Sequence, residues 1–300
     1  MSSIETSAGL CSHHRLACRL PLDWDHLRDF LRSRAIPGVE AVDADGYRRV
    51  VALPPGEGRA EPAIGWLIAR PSLRLRAPGI GVIDLVLSAS LSERRGECRR
   101  RARRLLDLRA SPAAVASALG ALAHDGPGVR VPGAFDGFEL AVRAILGQQI
   151  TVKAAGTLSG RFAARFGAPA VTPFADLDRA FPAAAVIAGR TVDDIASLGI
   201  IAARARSILA LARAIDDGRL RLDPARPVDD TIRTLRALPG IGDWTAQYIA
   251  MRALACPDAF PAGDLIVRRR LGVQTAAQAL ARAEAWRPWR AYAVMHLWKG

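Results

Sequence analysis

Between residues 21 and about 92 the apolar positions change period every few residues. Trp24, Leu27, Phe30 and Leu31 recur at helical spacing, while residues 48–53, 63–69 and 72–76 read as short strands. Pro54-Pro55-Gly56, Gly65 and Pro78-Gly79 punctuate those strands. From about Leu91 the strand pattern stops. Phe138, Val142, Ile145, Leu146 and Gln149 fall on one helical stripe, as do Leu158, Phe162 and Phe166, and 231–238 forms a further helix. The pattern predicts a loose, flexible extension over 1–20 and an α+β unit over 21–108, an antiparallel sheet with helices on one face. An all-α region follows over 109–300, with a cleft between a hairpin near 240 and the segment 140–150.

The most informative stretch is Leu238-Pro239-Gly240-Ile241-Gly242. Proline ends one helix and the glycines permit a tight turn. The next helix should start near Asp243 or Trp244, leaving its first N–H groups free to bind an anion. Pro257 and Pro261-Ala262-Gly263 then break the chain, and Asp264 stands directly before Leu265-Ile266-Val267. Asp264 alone reads as an N-cap. A phosphate clamp at a fixed separation from a carboxylate, with Trp244 and Tyr248 one turn apart between them, suits chemistry on a nucleotide instead.

This segment resembles the helix-hairpin-helix DNA glycosylase superfamily, whose motif ends in a catalytic aspartate. Gly133-Ala134-Phe135-Asp136-Gly137-Phe138-Glu139, Ala144-Ile145-Leu146-Gly147-Gln148-Gln149-Ile150, Trp286-Arg287-Pro288-Trp289-Arg290-Ala291-Tyr292-Ala293 and His296-Leu297-Trp298 resemble its opening and closing helices. Asp23-Trp24 with Phe30 resembles the N-terminal domain of one branch, the DNA-3-methyladenine glycosylase II family. The resemblance implies a helix-hairpin-helix glycosylase core that flips alkylated bases of the 3-methyladenine and 7-methylguanine type out of duplex DNA and hydrolyses the N-glycosidic bond. It implies Asp264 as the catalytic carboxylate, supported by nearby Arg268, Arg269 or Arg270. Phe30, Trp244, Tyr248 and Trp298 would surround the base. Amides around Gly240, Gly242 and Trp244 would grip a phosphate, and Gln149 would stand where relatives insert a wedge. Strand-cleaving members carry a lysine at the position of Trp244, so a monofunctional enzyme is expected. No cofactor is required by this reading, though carbonyls of Arg236, Leu238 and Ile241 would hold a structural cation. A further aromatic of the family falls at Leu265. The other readings are a different lesion preference and a non-catalytic damage-binding module.

The formal charge of +13 over 300 residues agrees with a polyanionic partner, double-stranded DNA, without identifying it. The densest basic run, Arg94-Arg95, Arg99-Arg100-Arg101 and Arg103-Arg104, reads as a solvated helix face or a phosphate strip. No apolar stretch approaches the roughly 20 residues of a membrane helix, and the first 20 residues lack a secretory h-region. An intracellular, cytoplasmic monomer is the expectation. Cys11 and Cys18 flank His13 and His14 at a spacing no usual zinc pattern matches. No cysteine follows Asp264, so the iron–sulfur cluster of some relatives has no ligands.

Overall fold

The computed structural model describes residues 11–56, 61–72 and 76–299. Its N-terminal part is a five-stranded antiparallel sheet of β1 (Ser12–Arg19), β2 (Glu40–Asp43), β3 (Gly46–Leu53), β4 (Ala63–Pro71) and β5 (Ile80–Leu87), in the order β1-β5-β4-β3-β2. Helix α1 (Trp24–Arg32) follows β1, and α2 (Arg95–Leu105) follows β5. Leu27 and Leu31 of α1 and Cys98, Ala102 and Leu105 of α2 pack on Leu16, Val51, Leu67, Ile83 and Leu85 of one sheet face.

One expectation is overturned here, one falls largely outside the described residues, and β5 was not foreseen. Residues 12–19 are not a flexible extension: they form edge strand β1, with Leu16 and Cys18 buried and His13, Arg15 and Arg19 exposed. Only two of its side chains are apolar and buried, which is too short an alternation to stand out. The strand expected over 72–76 falls largely on 73–75, outside the described residues, and Ser72 and Arg76 lie outside any strand. β5 was not anticipated, because its residues are apolar on both sides. Its second face is covered too: Val50, Trp66, Ile68 and Val86 pack against Phe174, Leu177 and Ala180 from the helical region.

The helical region runs α3 (Pro112–Leu119), α4 (Gly137–Leu146), α5 (Val152–Phe166), α6 (Ala184–Ala188), α7 (Val192–Ala196), α8 (Ala202–Asp216), α9 (Val228–Arg236), α10 (Asp243–Arg252), α11 (Leu265–Arg270), α12 (Ala276–Ala283) and α13 (Arg290–Lys299). Core membership changes between Leu108, on the sheet side, and Ala110, on the helical side. Two apolar cores divide the helices. Ala246 and Ile249 of α10, with Ala253 just past its end, belong to the core of α4, α5 and α8, whereas Ala250 and Met251, with Leu254 beyond, belong to that of α3, α12 and α13. Helix α10 is therefore the shared wall, buried on two sides, and Tyr248 packs against both cores. No described helix is long and apolar enough to cross a membrane.

Candidate active site

The hairpin forms as its residues dictate. Gly240 has φ +73°, and a Cβ there would stand 2.2 Å from Ser207 Oγ, so both backbone and space require glycine. Gly242 caps α10 without a side chain, and nothing lies within 4 Å of its would-be Cβ. Among the described residues the amides of Gly242, Asp243, Trp244 and Thr245 donate to no backbone carbonyl, while Ala246 N closes the first helical bond on Gly242 O. Open amides on an exposed, side-chain-free turn at a helix N-terminus can hold a phosphate.

Asp264 caps α11, as its sequence position predicts, but capping uses only part of it. Oδ1 accepts from Ile266 N and Val267 N, both at 3.0 Å, and from Trp298 Nε1 at 3.2 Å. Oδ2 accepts from Trp244 Nε1 at 3.0 Å. Two indoles from different helices and one helix terminus thus fix a single carboxylate. Arg268, Arg269 and Arg270, expected to support the anion, make no ion pair with it among the described residues; Arg268 donates to Gln274 O instead. The rings stack onward. Trp244 lies on Tyr248 at 5.3 Å between centroids and 13° between planes, and Tyr248 is 6.2 Å from Trp298.

These groups line a cleft of about 330 Å³, bounded on the far side by Ala144, Gly147, Ile150 and Val152. Pro132 O and Gly133 O, with Tyr248 Oη, accept all three nitrogens of the buried Arg252. Arg34 and Arg143 reach the same cleft. Arg143 pairs with Glu40 at 2.9 Å and Glu139 at 3.3 Å, and Arg49 pairs with Glu139 at 2.6 Å. This buried four-residue cluster is neutral in sum and ties β2 and β3 to α4. Burial works against the charge of Glu40, yet Arg143 and Arg49 hold its carboxyl below the usual range. Arg34 and Arg252 have no carboxylate partner among the described residues. For Tyr248, burial opposes ionisation, but Arg252 and Arg34 together pull its phenol below the ordinary value.

The expected site residues are sorted by this geometry. Asp264, Trp244, Tyr248 and Trp298 meet in the cleft. Phe30 does not line it: only 7% exposed, it stacks behind Trp298 at 6.4 Å and carries the Arg34 guanidinium 3.8 Å above its ring. Leu265 turns outward, 62% exposed, and Ile266 takes the lining position. Gln149 is not on the α4 stripe, because α4 ends at Leu146; it sits exposed at the rim in a left-handed conformation, φ +56°. Its neighbour Gln148 is locked by Gly240 O at 2.9 Å and Thr245 Oγ1 at 3.0 Å, joining the rim to the hairpin. Sequence reasoning missed Arg34, Arg143 and Arg252, and it named Trp244 and Trp298 only as rings around the base, not as donors to Asp264, since these residues meet only in the folded chain.

Comparison with known proteins fits this geometry. Residues 13–136 match the model of the AlkA N-terminal domain, and 142–290 match that of the HhH-GPD superfamily base excision DNA repair protein. The chain is 36% identical to DNA-3-methyladenine glycosylase 2 of Escherichia coli, over 93% of this chain and 94% of that protein. It is 38% identical to a probable bifunctional transcriptional activator/DNA repair enzyme of Mycobacterium tuberculosis, covering 99% of this chain but 58% of that protein. A solved 3-methyladenine DNA glycosylase of Archaeoglobus fulgidus shares the fold, with TM-score 0.76 at 22% identity over 95% of this chain and 97% of the other.

Proposed function

The chain belongs to the DNA-3-methyladenine glycosylase II family of helix-hairpin-helix base excision repair proteins, and from that premise we propose how its residues release an alkylated base from duplex DNA. The hairpin amides from Gly242 to Trp244 hold a phosphate beside the lesion, giving a grip independent of sequence. The lesion rotates into the cleft, at a cost of a few kcal/mol that is smaller for a damaged base. Gln149 fills the vacated stack, its strained backbone keeping it at the rim.

The observation that carries the reading is Asp264, held by four donors at the mouth of an aromatic cleft. As the glycosidic bond breaks, positive charge grows on the sugar, and this carboxylate stabilises it and orients the attacking water. Trp244, Tyr248 and Trp298 offer π-faces to a base made cationic by alkylation. Trp244 has no amine to form a Schiff base, so the enzyme releases free base and leaves the strand whole. The carbonyls of Arg236 and Ile241 accept no hydrogen bond among the described residues, and that of Leu238 takes one long bond from Ile241 N at 3.3 Å. Those three oxygens would hold a cation, which would add positive charge near the phosphate.

Asp264→Asn tests this. It keeps an oxygen for the cap but removes the charge, so duplex binding should survive while release of methylated bases falls at least a hundredfold. Wild-type products should run as intact strands until alkali is added. Turnover by the variant near the wild-type rate, or a borohydride-trapped enzyme–DNA adduct, would defeat the respective assignments.

A further inference from the structure

Apart from the exposed Arg100, the arginines of α2 and its N-cap Arg94 divide into two groups. Arg94 and Arg101 close on Glu97, Arg101 also reaches Asp136 at 3.3 Å, and Arg104 donates to the carbonyls of Ala134 and Phe135. These hold the helix to the fold. Arg95, Arg99 and Arg103 lie four residues apart on another stripe, and none pairs with a carboxylate among the described residues. Arg95 donates to Ser92 O alone, and the buried Nε of Arg99 has no hydrogen-bond partner. Positive charge gathers around them. Burial, then Arg99 and Arg95, hold the imidazole of His14 on β1 below its ordinary value, and burial, then Arg99 and Arg109, do the same to Arg103.

Like charges at i, i+4 cost a few tenths of a kcal/mol per pair, so folding alone does not explain this row. None of the three lines the Asp264 cleft. We propose that Arg95, Arg99 and Arg103 form a second nucleic-acid-binding strip that holds successive phosphates of one strand. Four helical residues rise about 6 Å, on the order of the separation of neighbouring phosphates. Guanidinium groups suit phosphate because their planar forks donate in pairs. A chain with this strip can hold a second DNA segment while its cleft is filled, and so pass between segments without release.

The test is the stoichiometry of an undamaged 12-base-pair duplex, titrated at 50 mM salt and followed by fluorescence anisotropy and sedimentation. The wild type should bind two duplexes, and Arg95→Gln/Arg99→Gln/Arg103→Gln should bind one with a thermal melt no lower than the wild type's. Three phosphate contacts imply that the second affinity falls about 40-fold between 50 and 200 mM salt. A control replacing Arg165, Arg213 and Arg219, exposed elsewhere, should still bind two. One duplex bound by the wild type and lost in the α2 variant would uphold the strip and count against the cleft. One duplex retained by that variant, loss of the second duplex in the control, or tighter binding of an oligoglutamate peptide to the strip would overturn the proposal.

Discussion

Trp244→Phe should slow chemistry more than Trp298→Phe, for a reason visible in how Asp264 is held. Oδ1 has three donors, two of them backbone amides of α11, so losing the Trp298 N–H leaves it anchored. Oδ2 has Trp244 Nε1 as its donor at 3.0 Å, and phenylalanine leaves that oxygen without a protein partner. A hydrogen bond to a charged group is worth about 1.5–3 kcal/mol, and at about 1.4 kcal/mol per tenfold the Trp244 variant should lose between ten- and a hundredfold in rate. For Trp298→Phe we expect less than about tenfold, because the amides still fix the carboxylate. Phenylalanine keeps a ring in both positions, preserving much of the stacking on Tyr248. Base release with enzyme in excess reads the chemical step, and affinity for a duplex bearing a stable abasic analogue reads binding. Because both indoles bind one carboxylate, the double variant should depart from additivity. Equal losses in the two single variants, or a loss confined to binding, would refute the claim that Trp244 aims Oδ2.

Arg34 lines the cleft without an acidic partner among the described residues, so Arg34→Gln should improve excision of a cationic 7-methylguanine relative to an uncharged, carbonyl-bearing lesion by at least about tenfold, since like charges about 10 Å apart at an effective dielectric of about 20 repel by about 1.7 kcal/mol; competition between the two substrates in one tube measures it. Gln149→Gly should relieve left-handed strain and stabilise the free protein by about 1 kcal/mol while slowing release from duplex DNA, read by urea unfolding and single-turnover assay. Two groups, Asp107 bonded to Tyr292 of α13 and His296 on α13 itself, oppose each other. Burial raises Asp107, bound by Tyr292 Oη at 2.8 Å, from 3.8 to about 6, so its contribution is full below pH 3.8 and is lost as pH rises toward 6. Burial, then Lys299 and His26, lower His296 from 6.5 to about 4, so its contribution is full above 6.5 and is lost as pH falls toward 4. Each amounts to at most about 3 kcal/mol before solvent screening, and together they flatten stability between pH 4 and 6. His296→Gln should therefore give stability that falls as pH rises across that window, and Asp107→Asn stability that rises; urea midpoints with the same slope in both variants would contradict the assignment.

What was legible from the chain is what the backbone settles locally. Gly240 needs its positive φ and empty side, Gly242 opens a helix, and Asp264 caps one; each is dictated by neighbours within a few residues. The α+β class, a sheet followed by helices, was legible in the change of period near Leu91. Misses arose where distant chain decides. β5 reads as ambiguous because Phe174, Leu177 and Ala180 cover the face that an open sheet would leave polar. Phe30 reads as a pocket ring, but Trp298 and the guanidinium of Arg34 enclose it. The buried set of Glu40, Arg49, Glu139 and Arg143 has charged residues at positions that a polarity pattern assigns to solvent, and only mutual pairing makes their burial tolerable.

The bland and the functional accounts of Asp264 then cease to compete. An N-cap needs one side-chain oxygen, and Oδ1 meets the amides of Ile266 and Val267 whether or not any reaction occurs. Capping gives no reason for Oδ2 to meet an indole from α10, or for a second indole to arrive from α13. The hairpin turn leads directly into α10, whose first turn carries Trp244, so the proposed grip on DNA and the aim of the carboxylate rest on one helix. In the proposed mechanism the cap fixes where the anion is, and the Trp244 N–H sets how Oδ2 is aimed at the sugar. Fold and the proposed catalysis therefore draw on different donors to one carboxylate, which is why removing charge and removing the Trp244 donor should slow base release while leaving the helix cap in place.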